Sequence, residues 1–155
     1  MYNVRKQLKL ESLAGKTPIE FLIIVLQSGE YVFDYKTDII GHVSHVFFVY
    51  PKSIELLHHF PELVLLDYTY KTNKFKLPLL NIVGTTYLNS TFHMTFCFMA
   101  KEDKESYFWV LEQLKKLYES TSDSSIIVMD RDLALMAAAQ RVFRTTQWIL
   151  CIWHI

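Results

Sequence analysis

Two apolar runs of this chain each end in an aspartate. Leu63-Val64-Leu65-Leu66 leads straight into Asp67, and Ile126-Ile127-Val128-Met129 leads straight into Asp130. Each run reads as a strand, the first as one buried on both faces. Carrying an ionised carboxylate into such surroundings is costly unless something compensates the charge. Hydrated Mg²⁺ is one compensator, because it prefers carboxylate oxygens. Two strands bringing two aspartates to one edge of a sheet would make a metal-binding pair, the seed of a site that cuts phosphodiesters. A structural role is open for each residue as well. Asp67 can open a turn, and Asp130 or Asp132 can cap the helix pattern that follows them. Spacing alone does not choose between these readings.

Basic side chains follow both aspartates: Lys71, Lys74 and Lys76 after the first, Arg131, Arg141 and Arg144 after the second. They can contact phosphate or form solvated faces. Sixteen basic residues balance sixteen acidic ones, so any basic surface has to be local. His58-His59 has no Cys or acidic partner at ligand spacing, which argues against a metal there. Cys97 and Cys151 form no CxxC pair, and Cys97, between Phe96 and Phe98, reads as a buried core thiol. The start of the chain lacks the apolar core of a signal peptide, and the run 21–26 is far too short to span a bilayer. An intracellular, reduced protein without membrane contact is expected. A hydrophobic fraction of 51% provides ample surface for a core.

The elements that must position these residues are legible in outline. Thr17-Pro18-Ile19-Glu20 is a helix start with a capping box, and Ser28-Gly29 is its end. A shorter helix is expected before it, over 4–13. Strands are expected over 31–36 and 42–50, and a helix over 51–60. From residue 61 the order reads strand (62–68), strand (77–87), strand (91–100), helix (104–119), strand (125–130), helix (132–143) and strand (147–152). The second and third strands suit an antiparallel hairpin turning at Asn89-Ser90. The helix over 104–119 is expected to bury Phe108, Leu111, Leu114 and Tyr118, with Trp109 and Leu117 beside them. Residues 1–60 read as a helical and strand lead-in, and 61–155 as the α/β unit. Three antiparallel strands followed by alternating helix and parallel strand is the ribonuclease H-like order, in which the first and fourth strands are neighbours.

Several blocks together resemble one family. Asp67-Tyr68-Thr69-Tyr70-Lys71-Thr72-Asn73, Leu77-Pro78-Leu79 and Val83-Gly84 look like the first block of Mutator-like element (MULE) transposases. Trp109-Val110-Leu111 resembles their Trp-x-Leu helix, and Asp130-Arg131-Asp132-Leu133 their second aspartate block. Cys151-Ile152-Trp153-His154 is similar to their Cys-x-x-His segment. The blocks run in family order from about residue 45 to the last residue. The plant far-red-impaired-response proteins, regulators derived from such transposases, share them.

The resemblance implies a DDE-type DNA transposase core with a ribonuclease H-like fold. Asp67 and Asp130 would be two of its three catalytic acids, holding Mg²⁺ or Mn²⁺ for in-line attack on a phosphodiester. Lys71, Lys74, Arg131 and His154 would position DNA, and Asp132 would cap or face solvent. The partners implied are transposon ends and target DNA, with a second copy of the chain as a further candidate, in the nucleus. No zinc site is expected, because Cys151 and His154 lack a second pair. The family's third acid, a glutamate, has no counterpart before Ile155, so a C-terminally incomplete and inactive fragment is expected. The competing expectation is a non-catalytic, domesticated remnant that binds DNA or protein in transcription.

Overall fold

The computed structural model describes residues 17–69, 77–118 and 126–152. The expected helix over 4–13 and the loop over 120–124 lie outside the described residues. Among the described residues four helices and seven strands occur in the order α1 (Pro18–Ser28), β1 (Val32–Thr37), β2 (Val43–Val49), α2 (Pro51–His59), β3 (Leu63–Thr69), β4 (Leu79–Thr85), β5 (Thr91–Met99), α3 (Lys104–Lys116), β6 (Ile126–Met129), α4 (Leu133–Val142) and β7 (Gln147–Leu150).

Local chemistry sets the helix starts. Thr17 and Glu20 close a reciprocal capping box, and Pro18 occupies the first turn of α1. The Asp103 carboxylate accepts from the Ser106 amide at 2.9 Å and starts α3. That bond holds the Asp103 carboxyl below the usual carboxylate range, with Lys101 adding to the effect. Between β4 and β5 the chain turns through Asn89, which takes the left-handed conformation at φ 58°.

All seven strands form one mixed sheet in the order β1-β2-β5-β4-β3-β6-β7. The lead-in strands join it through the antiparallel pairing of β2 with β5. β3 pairs antiparallel with β4 and parallel with β6, and β6 pairs parallel with β7. β3 and β6 are therefore neighbours although β4, β5 and α3 separate them in the chain.

One core holds the sheet to α2, α3 and α4. It includes Leu57, Val64, Leu66, Leu80, Tyr107, Leu111, Ile127, Met129 and Phe143. Cys97 is fully buried within it, and burial pushes its thiol well up. Leu26 of α1 and Val46 of β2 are buried outside that cluster, where α1 packs against β2. Two expectations need correction. β3 is not buried on both faces: Val64 and Leu66 are sealed, while Leu63, Leu65 and Asp67 alternate with them and are only half-buried. The reason is that α2, α3 and α4 feed one core, while α1 reaches the sheet at β2. Leu111 and Leu114 of α3 and Tyr118 just beyond it are buried as expected, but Phe108 is half-buried, and the sealed apolar residues of α3 also include Tyr107 and Val110. Phe108 lies at the edge of the core and is covered by Arg141 of α4, 4.1 Å from its centroid.

Candidate functional site

The parallel pairing of β3 with β6 ends on Leu66 opposite Met129. The next residue on each chain is an aspartate, so positions 67 and 130 stand side by side at the C-terminal edge of the two strands. Alternation puts Asp67 on the half-covered face, opposite the sealed Leu66. Both aspartates are half-buried. Their arrangement is the chemistry a hard, hydrated cation takes: carboxylate oxygens from two rigid neighbouring elements, with solvent within reach. Among the described residues no group of three or more His, Cys, Asp or Glu side chains is placed to hold a metal. An Mg²⁺ held by one or two carboxylates keeps several of its waters, so a pair of aspartates is a chemically sufficient protein share of such a site.

Asp132 has a different task. Its Oδ1 accepts from the amides of Ala134 at 2.7 Å and Leu135 at 3.0 Å, capping α4. Its Oδ2 accepts from the Tyr107 hydroxyl at 3.1 Å. The Asp132 amide donates to the Asp130 carbonyl at 2.8 Å, which ties the segment carrying Asp130 to the helix start. The Tyr107 ring is buried, 1% exposed. Burial and the carboxylates of Asp132, Glu102 and Asp130 push its pKa far up, so the hydroxyl stays a neutral donor. Tyr107 was invisible to sequence reasoning; its place one residue before the expected stripe was the only signal.

The other sequence candidates are distributed more widely. Arg131 is exposed and follows Asp130 directly. Arg141 and Arg144 line an open cavity of about 630 Å³ with Phe108, Glu112 and Lys115, at the far ends of α3 and α4. Lys71, Lys74, Lys76 and His154 lie outside the described residues. His58 and His59 each meet a backbone carbonyl, that of Leu117 at 2.9 Å and that of Glu55 at 2.7 Å. Cys151 is half-buried, and its amide bonds the Met129 carbonyl at 2.8 Å beside Asp130. Among the described residues no helix is long and apolar enough to cross a membrane.

Comparison with known proteins converges on the same segment. Residues 63–155 match the model of the MULE transposase domain. The chain is 28% identical over 113 residues to Protein FAR1-RELATED SEQUENCE 5 of Arabidopsis thaliana, covering 73% of this chain and 14% of that protein. Protein FAR1-RELATED SEQUENCE 6 of the same plant is 28% identical over 115 residues, 74% of this chain and 16% of its own length. A third similarity, to PKS-NRPS hybrid synthetase cheA of Chaetomium globosum, is 25% identity over all of this chain but 4% of that protein. So small a share brings nothing of a synthetase's chemistry with it. The chain spans well under a quarter of the length of each of these relatives.

Proposed function

The chain belongs to the MULE transposase domain family, and from that premise we propose that it is the metal-binding part of a DDE-type DNA-cutting and strand-joining core. The supporting observation is the juxtaposition of positions 67 and 130 by the parallel pairing of β3 with β6. The order β5-β4-β3-β6-β7 is that of a ribonuclease H-like sheet, with β1 and β2 added at its edge. In this reading Asp67 and Asp130 hold Mg²⁺ or Mn²⁺ between them. Bound divalent ions supply activation of the attacking oxygen and stabilisation of the leaving oxygen in phosphodiester chemistry. The protein's own contribution is placement: β3 and β6 fix the two carboxylates, and Asp132 with Tyr107 fixes the turn that carries Asp130. Arg131 adds a positive charge beside the pair, suited to a phosphate. DNA is the substrate on this reading, and the nucleus its place of action.

Titration calorimetry with MnCl₂ tests the assignment. The parent chain is expected to bind Mn²⁺, and Asp67→Asn and Asp130→Asn each to lose binding. Equal binding by both variants would sink the metal assignment. A second reading, a regulator without catalysis, is favoured by the similarity to FAR1-related proteins. It predicts DNA or protein binding that is indifferent to Asp67→Asn.

A further inference from the structure

A polar pair stands on the half-covered sheet face next to Asp67. Asn81 of β4 is the direct cross-strand partner of Asp67 in β3. Residues paired this way share a face, with their Cβ atoms roughly 5 Å apart. On its other side Asn81 meets His93 of β5: Nδ1 of the imidazole lies 3.0 Å from Oδ1 of the amide. The His93 ring stacks on Phe96, with centroids 5.3 Å apart and planes at 26°. Phe96 is itself the cross-strand partner of Asn81 in β5.

His93 reaches this face through an irregularity in the sheet. Asn81 pairs with Phe96 and Ile82 with Thr95, but Val83 pairs with His93, so Met94 is an extra residue in β5. In an unbroken ladder Met94 would stand opposite Val83. The bulge instead sends Met94 into the core, 1% exposed, and turns the exposed His93 toward Asn81. Bulges re-aim side chains in this way and are frequent beside active sites.

The hydrogen bond orients the amide. Since Oδ1 accepts from His93 on the β5 side, the Nδ2 donors are left for a different partner, and Asp67 is the polar residue paired with Asn81 on the β3 side. Among the described residues nothing accepts from Nδ2. We propose that Asn81, held by His93, is a positioning residue for Asp67: with Oδ1 taken by His93, its Nδ2 is the donor left to steady the Asp67 carboxylate when that carboxylate binds an ion. Carboxylates that bind metals are themselves hydrogen-bonded, and removing such an outer partner weakens metal affinity about 10- to 100-fold. This inference rests on the reading of Asp67 as a metal ligand.

The test is Mn²⁺ titration of the 155-residue chain and four variants, with metal-free thermal unfolding alongside. Asn81→Leu and His93→Phe are expected to weaken Mn²⁺ binding about tenfold or more, with metal-free melting close to the parent's. His93→Phe keeps an aromatic ring for the stack and loses only the donor. His93→Gln, which restores an N–H donor, is expected to recover most of the affinity. If Asn81→Leu and His93→Phe bind as the parent does while Asp67→Asn does not, the positioning role is overturned and the metal pair stands. A His93→Gln as weak as His93→Phe would assign the effect to packing, also against the proposal. If Asp67→Asn itself binds like the parent, the metal reading fails and takes this one with it.

Discussion

Asp132 shows how one side chain can do two jobs two residues from Asp130. Its Oδ1 caps α4 and its Oδ2 holds the buried Tyr107 hydroxyl. Asp132→Ala should therefore cost a cap, about 1 kcal/mol, and strand a buried hydroxyl, about 1–3 kcal/mol. Asp132→Asn keeps an oxygen for the cap and should lose less; urea unfolding of both variants checks the order. His45 carries a second, pH-dependent effect. The single Ser44 hydroxyl proton goes to the Lys36 carbonyl at 3.0 Å, so His45 Nδ1 donates to Ser44 at 2.9 Å. Its Nε2 is left buried without a hydrogen-bond partner among the described residues, and its ring stands edge-on to Trp109. Burial, then the Lys36 charge, lowers its pKa to about 4, with Asp103 opposing. The unfolded chain takes this proton near the ordinary histidine value of 6.5 and the folded chain only near 4. Between those values the unfolded state binds more protons, so stability falls as pH is lowered through the window. The loss is on the order of 3 kcal/mol at full extent. Urea midpoints from pH 7 to pH 4 should show it, and His45→Leu should flatten that dependence.

Elements were more legible than their neighbours. Capping residues, proline at first turns and apolar periodicity are local signals, and they located every described helix and strand to within a few residues. Asp67 and Asp130 were visible for the same reason: each ends an apolar run. Asn81, His93 and Tyr107 were not, because their roles depend on register, on an extra residue in β5 and on which side of α3 meets the core. None of those is written in local spacing. Gly84 belongs at this scale too. It lies opposite Phe92 in the β4–β5 ladder, and a Cβ there would collide with the Phe92 ring. Gly84→Ala should push that ring aside and cost about 1–3 kcal/mol, the usual penalty of overpacking. Thermal unfolding of Gly84→Ala against Gly84→Ala with Phe92→Leu checks the cause, since the smaller side chain should relieve the clash.

Across the whole molecule, the metal reading would make ion binding and folding one linked equilibrium. A ligand that binds only the folded chain stabilises it by about 2.7 kcal/mol at a concentration a hundred times its dissociation constant. On the metal reading, Mg²⁺ or Mn²⁺ should raise the melting temperature of the parent, and Asp67→Asn should abolish the rise. An equal rise in that variant would place the ion elsewhere. The neighbourhood of β3 and β6 also carries a consequence in time. The two aspartates are separated by about 60 residues of chain, and β4, β5 and α3 must emerge between them. Long-range pairing of this kind is slow to form, and a growing chain lengthens by only about 5–20 residues per second. A half-made chain therefore carries one aspartate without its mate. The pair exists only once synthesis has passed β6 and the sheet has closed on it, so on the metal reading a chain still being built has no paired carboxylates to offer an ion.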